Sequence, residues 1–277
     1  MQGEKELRLA VLIDADNVPR KSIKAVMEEI AVYGNPTVKR IYGDWTSPNL
    51  GGWKARLLEN ALTPIQQYGY TTGKNSTDSA MIIDAMDILY SDNVDGFCLV
   101  SSDSDFTRLA IRLREAGMKV FGFGEKKTPG AFIAACDRFI YIEIIFKNNE
   151  HPSAKKIRPS SSSCSADTPA LPDSSSQAQA KPAPRVKLSK DVIDLIAAAV
   201  DDVGDDEGWA YLGEVGGLLQ KKRPDFDSRN YGFKKLTSLI ESCEHFELDF
   251  RQNLQRASGK LIYIRSRKMS ESQEISL

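Results

Sequence analysis

Long apolar runs are the first thing this 277-residue chain lacks. The longest, such as Leu195 to Val200, fall far short of the ~20 residues that cross a bilayer, which excludes a membrane-spanning helix. Cysteine is scarce and scattered. Cys98, Cys136, Cys164 and Cys243 make no C-x-x-C pair and His151 and His245 are the only histidines, so neither a disulfide framework nor a zinc site is expected, and the thiols read as reduced and structural. A surplus of charge of one sign is also missing: 37 Lys plus Arg face 38 Asp plus Glu. Residues 1–147 carry 18 basic and 19 acidic side chains and residues 186–277 carry 14 and 16, so contact with a polyanion has to come from local patches rather than a basic tail. The residues before the first apolar run have no basic start and no long apolar stretch with a small-residue cleavage site, which predicts a cytoplasmic protein.

What is present is a globular composition, 41% apolar and 27% charged, with one interruption. Between His151 and Arg185, 21 of 35 residues are Ser, Pro or Ala, and Ile157 and Leu171 are the only large aliphatic side chains. Such a stretch buries too little apolar area to offset its ordering entropy. The expected organisation is therefore a module over 1–147, a disordered linker over 148–185, a smaller module over 186–267 and a disordered tail over 268–277.

In the first module short β-type runs alternate with helix-period stretches. Strands are expected at Leu9–Ile13, Thr37–Tyr42, Ala61–Gln66, Gly96–Val100, Lys119–Phe123 and Phe139–Ile142, and helices at Pro19–Tyr33, Trp53–Asn60, Thr77–Tyr90, Ser104–Ala116 and Gly130–Cys136. Pro19 would sit in a first helical turn with Asn17 near the cap, and Thr77 is a candidate cap of its own helix. This alternation predicts an α/β fold, a three-layer sandwich with a parallel sheet covered on both faces. The second module reads as helices Lys190–Val203, Leu212–Gln220 and Ser228–Ser242 followed by strands Phe246–Phe250 and Leu261–Ile264, the outline of a winged helix-turn-helix.

Ligands of parallel α/β sheets bind outside the carboxyl ends of the strands, and here those positions are acidic. The first strand runs into Asp14-Ala15-Asp16-Asn17, and the fourth into Ser101-Ser102-Asp103-Ser104-Asp105. Asp78 lies in the first turn of the helix preceding the fourth strand. Asp14, Asp78, Asp103 and Asp105 would converge on one crevice if these strands are neighbours. Crowded carboxylates repel unless a cation joins them, and hard oxygen donors without His or Cys select Mg²⁺ or Mn²⁺. Such an ion can polarise a phosphoryl oxygen and lower the pKa of a bound water, the equipment for phosphodiester hydrolysis. The plainer alternative is that Asp14, Asp78 and Asp103 are helix caps or first-turn acids; Asp14 fits it poorly because it ends a strand. Asn17, Thr77, Ser101 and Ser102 are candidates to orient the carboxylates, or simple caps. Asp84, about 120° and about 9 Å from Asp78 along their helix, is second in rank, and Asp87 reads as surface. Lys74 stands at the crevice mouth as a candidate phosphate contact, in a Gly-Lys-Asn-Ser-Thr stretch that lacks P-loop spacing.

VLIDADNVP over Val11–Pro19, KNSTDSAMIIDAMDILYSDNVDGFCLVSSDSDF over Lys74–Phe106 and FGFGEKKTP over Phe121–Pro129 resemble the bacterial NYN domains of the LabA-like group, relatives of the PIN ribonucleases. The resemblance covers nearly all of residues 8 to 145. It implies a PIN-like α/β/α sandwich and metal-dependent RNA cleavage, with Asp14, Asp78, Asp103 and Asp105 in the acidic positions. PDFDSRNYGFKKLTSLIE over Pro224–Glu241 is similar to the OST-HTH, or LOTUS, domain, a winged helix associated with RNA binding and in some animal members with helicases.

Physically, Lys221, Lys222, Arg223, Arg229, Lys234 and Lys235 make a cationic patch on or before the third helix, suited to phosphate contacts or else an ordinary solvated face. Tyr231 and Phe233 can stack on bases or serve the core, and the core is preferred. The expected function is a metal-dependent ribonuclease with a C-terminal winged-helix RNA-binding module, whose winged helix also offers a surface to a protein partner. Two alternatives remain: a catalytically inactive RNA- or protein-binding adaptor, and a phosphatase using the D-x-D of Asp14 and Asp16, which lacks the expected threonine because Val18 stands there.

Overall fold

The computed structural model describes residues 6–68, 76–149, 188–252 and 260–267. Lys74, the expected linker from residue 150 onward, residues 253–259 and the expected tail lie outside them. The chain order of the first module is β1 (Arg8–Asp14), α1 (Ile23–Ile30), β2 (Asn35–Gly43), α2 (Lys54–Asn60), β3 (Thr63–Gln66), α3 (Ser76–Tyr90), β4 (Gly96–Val100), α4 (Thr107–Glu115), β5 (Lys119–Gly124), α5 (Gly130–Ala135), β6 (Arg138–Tyr141) and α6 (Ile142–Asn149). Short 3-10 turns at Pro48–Trp53 and Ser104–Phe106 lead into α2 and α4. The six strands form one parallel sheet in the order β3-β2-β1-β4-β5-β6.

That order explains the layers. Crossovers between parallel strands are right-handed, so when the chain winds from β1 out to β3 its helices cover one face, and when it returns to β4 and winds the other way they cover the opposite face. Leu9, Val11 and Ile13 accordingly pack with Ile23, Val26 and Ile30 of α1, Leu57 of α2 and Ile145 of α6. Ala10 and Leu12 point the other way, onto Met81, Ala85 and Ile88 of α3, Leu109 and Leu113 of α4 and Phe132 of α5. A central strand covered on both faces has to be apolar at every position, and Leu9 to Ile13 are all fully buried.

Three local expectations are corrected. The first helix begins at Ile23 rather than Pro19, because the Pro19 carbonyl closes a turn with the Ser22 amide and hydroxyl. The last strand stops at Tyr141, and Ile142, read as strand, opens α6, which runs through 148 and 149. A short apolar run such as Phe139 to Ile145, interrupted only by Glu143, does not separate strand from buried helix by periodicity alone.

The second module comprises α7 (Lys190–Val203), β7 (Ala210–Tyr211), α8 (Leu212–Lys222), α9 (Leu236–Glu241), β8 (Phe246–Gln252) and β9 (Lys260–Ser266). Its strands form an antiparallel sheet in the order β7-β9-β8. Val192, Ile196, Val215, Leu219, Leu239, Ile240 and Ile264 form its core, against which Tyr231 and Phe233 pack. The third correction is here. The expected helix over Ser228–Ser242 is a 3-10 turn over Ser228–Tyr231 and then the six-residue α9. Gly232 separates them at φ +85°, a left-handed conformation that closes a helical segment and is accessible to glycine without strain.

Candidate metal centre

The strand order reverses between β1 and β4, and the loops leaving these neighbours diverge to open a crevice at their carboxyl ends. Asp14, the last residue of β1, is 1% exposed and sits between them. One carboxylate oxygen accepts from the Asp16 amide at 3.0 Å, and the other from Asn17 Nδ2 at 2.7 Å and the Ser101 hydroxyl at 2.9 Å. Ser101 Oγ in turn accepts from the Asp103 amide at 3.1 Å. Asp14 therefore braces the loop after β4 from the end of β1. With its oxygens held this way and almost no surface, it is a poor nucleophile for the phosphatase alternative.

Asp103 has extended backbone and caps the 3-10 turn, accepting from the Asp105 amide at 3.0 Å. Asp78 reaches the same place from the first turn of α3. One carboxylate oxygen each from Asp78, Asp103 and Asp105 lies within 4.8 Å of the others. Asp14 is not in this trio.

The acids of the cluster act on one another. Burial first, then the charges of Asp14, Asp103, Asp105 and Asp16, push the Asp78 carboxyl up to about 6. Asp16, at the crevice mouth, is also raised, by desolvation and by Asp14, while a hydrogen bond from Thr77 pulls the other way. Hard oxygen donors crowded to the point that one resists ionising fit a divalent cation such as Mg²⁺ or Mn²⁺, whose charge would relieve that repulsion.

The supporting residues divide. Asn17 and Ser101 act on Asp14, and Thr77 acts on Asp16 instead of serving as a helix cap, because α3 already starts at Ser76. Ser102 Oγ accepts from the Glu125 amide at 2.8 Å and so ties the loop after β4 to that after β5. The two loops touch closely at Gly124, where a Cβ would lie 2.7 Å from both the Ser101 carbonyl and Thr128 Oγ1. Asp84 takes no part in the trio: it accepts from Arg40 and from the buried Tyr42 hydroxyl, pinning α3 over β2. Asp87 is exposed.

Two further acids border the crevice. In the sequence Asp16 reads only as half of a D-x-D phosphatase motif. Asp44 follows β2 directly and acts electrostatically on Asp16, and the same strand-end argument that picked out Asp14 points to it. Its side chain accepts from the Thr46 amide and Gln66 Nε2.

In the second module the six cations fare differently. Lys222 pairs with Asp202, Arg223 with Asp225, and Arg229 with Asp227 and Glu29. Lys221, Lys234 and Lys235 are exposed. Because the third helix is broken, Lys234 and Lys235 lead into α9 rather than lying along it.

Comparison with known families matches the NYN domain to residues 8–143 and the OST-HTH/LOTUS domain to residues 187–256. This is an NYN-domain protein with a C-terminal OST-HTH/LOTUS domain. The NYN domain is a nuclease family, and its PIN-like layering is the sheet and helices described above; OST-HTH/LOTUS domains bind RNA. An uncharacterized protein of Methanocaldococcus jannaschii is 26% identical over 129 residues, covering 45% of this chain and 50% of its own, so the chain spans about half the length of that curated relative. Among solved structures, a Vibrio parahaemolyticus protein of unknown function aligns with a TM-score of 0.44 at 21% identity, over 51% of this chain and 96% of that one. An uncharacterized Nitrosomonas europaea protein aligns at 36% identity over 36% of this chain and 95% of that one, with a TM-score of 0.28. No helix among the described residues of the NYN–OST-HTH protein is long and apolar enough to cross a membrane.

Proposed function

We propose that this protein is a metal-dependent ribonuclease, cytoplasmic, with its catalytic crevice in a module over 1–147 and RNA held by a winged helix over 186–267 beyond a linker over 148–185. The observation that carries the reading is the approach of Asp78, Asp103 and Asp105 to within 4.8 Å at the switch point of a nuclease-family sheet. These three would hold Mg²⁺ or Mn²⁺. A divalent ion held there supplies Lewis-acid polarisation of a phosphoryl oxygen and activation of water at neutral pH. Asp14 keeps the two loops in register through Ser101, and Asn17 holds the Asp14 carboxylate in that orientation. Asp16, steadied by Thr77, adds negative potential at the mouth, and Lys74 would meet a phosphate.

End-labelled single-stranded and structured RNA, incubated with the purified protein in Mg²⁺, in Mn²⁺ and in EDTA, is expected to be cut only with metal and to leave 5′-phosphates. A 2′,3′-cyclic phosphate product would refute the reading, since it means attack by the neighbouring 2′-hydroxyl. Intact RNA affinity with no cutting in any lane would instead identify a binding adaptor.

On the second module the phosphate contacts fall to the exposed Lys221, Lys234 and Lys235. Replacing Lys234 and Lys235 together by Ala is expected to weaken RNA binding and to flatten the log–log salt dependence of affinity by roughly one to two units. An unchanged slope in a fluorescence-anisotropy titration would move the RNA site elsewhere.

A further inference from the structure

Arg229 was a candidate for phosphate, yet its guanidinium is occupied by an acid from the other module. Nη1 and Nη2 donate to the two Glu29 oxygens at 2.9 and 2.7 Å, across 200 residues of sequence, while Nε and Nη2 also hold Asp227 at 3.0 and 2.8 Å. The Arg229 and Glu29 side chains are 19% and 14% exposed, so this is not one of the loose surface pairs that contribute little. Glu29 is itself oriented by the Tyr33 hydroxyl at 3.0 Å, and Arg138, which reaches toward Asp227, lies over the Tyr33 ring at 4.9 Å. Burial works against ionising Glu29 and Asp227, and the Arg229 fork outweighs it, keeping both carboxyls below their ordinary range.

A second set of contacts runs along β6, the last strand of the sheet. An edge strand presents amides and carbonyls with no neighbouring strand to satisfy them. Here the Phe139 amide donates to the Pro224 carbonyl at 2.9 Å, and the Tyr141 hydroxyl donates to Asp225 at 2.9 Å. Pro224 and Asp225 meet Phe139 and Tyr141 while Asp227 meets Arg138, so the segment lies along the open side of β6. Asn230 Nδ2, bonded to the Asp225 carbonyl at 2.8 Å, closes the segment on itself.

We propose that the outer edge of β6, together with Glu29 of α1, is an intramolecular docking surface for residues 224–229, so that the winged helix and the NYN domain form one body rather than two beads on a tether. The occupant is argued from the fit: one backbone hydrogen bond to the Pro224 carbonyl, one tyrosine–carboxylate bond to Asp225 and a two-pronged ion pair from Arg229 all fall within a single six-residue segment. β6 lies two strand spacings, about 10 Å, from β4, which carries the Asp103 loop, so docking there leaves the crevice between β1 and β4 uncovered. It also removes Arg229 from the surface offered to RNA. The inference does not depend on the nuclease reading.

Amide hydrogen exchange of the full-length protein tests it, with the Phe139 amide as reporter. In the wild type this amide is expected to exchange at least about tenfold more slowly than in Glu29→Gln or in Arg229→Gln, each of which removes one side of the fork while leaving a polar side chain. The double variant is expected to exchange no faster than either single one, because both act on one contact. Protected Leu12 and Leu99 amides in all four proteins report that the sheet is intact. Equal, fast Phe139 exchange in wild type and variants with a protected sheet would overturn docking. Small-angle scattering of the unsubstituted chain asks the same question without a variant: one compact particle supports the proposal, and two bodies at variable separation overturn it.

Discussion

Asp103→Asn is expected to lower metal-stimulated RNA cleavage by at least about 100-fold, because a carboxylate ligand that helps hold the cation underlies several kcal/mol of transition-state charge stabilisation. Asparagine is chosen because it still accepts the Asp105 amide and keeps the cap of the 3-10 turn, so the local backbone should survive. RNA affinity, which the reading assigns to the second module, is expected to stay within a few-fold of wild type. Single-turnover cleavage and anisotropy on the same preparations check both. Full activity in this variant would remove Asp103 from the cation site and leave the acidic cluster without its assigned role.

Asp78→Asn is expected to invert the order of stability between metal-free and metal-loaded protein. Without metal at pH 7, Asp78 carries a charge against four neighbouring acids, and its carboxyl is raised to about 6. A carboxyl that binds its proton more tightly folded than unfolded makes the folded state less stable above that value, so the metal-free wild type should gain stability as pH falls from 7 through 6 toward 5. Removing the charge should stabilise the metal-free protein at pH 7 by about 1–2 kcal/mol and erase that pH dependence. Saturating Mg²⁺ or Mn²⁺ should then raise the wild type above the variant, since a ligand at about 100 times its dissociation constant adds about 2.7 kcal/mol. Thermal melts at pH 5, 6 and 7, with metal and with EDTA, show the crossing. A variant that melts below wild type in EDTA at pH 7 would mean that Asp78 is a satisfied structural acid.

Acidic residues at strand ends were legible because the periodicity of β1 and β4 is strong and the chain rule for parallel sheets says where to look. Asp84 shows the limit of that reasoning. Helical geometry measured its distance from Asp78, but only the packing of α3 on β2 sets Arg40 and Tyr42 against it. Asp44, directly after β2, satisfies the strand-end rule as well as Asp14 does, and the packed structure sets its charge against Asp16.

By itself, the sequence determined the α/β alternation, the winged-helix outline and the gathering of aspartates at the switch point, because apolar periodicity and residues adjacent in the chain carry that information. The tertiary structure decided which carboxylates meet. Asp14 accepts from Asn17 and Ser101 and is the strongest charge acting on Asp78, whose carboxylate meets those of Asp103 and Asp105. It also decided that Arg229 belongs to Glu29 and Asp227 rather than to an open face, and that Gly232 breaks the third helix. A charged side chain chooses its partner by which atoms arrive within about 3 Å once distant segments are packed, and spacing along the chain does not encode that choice.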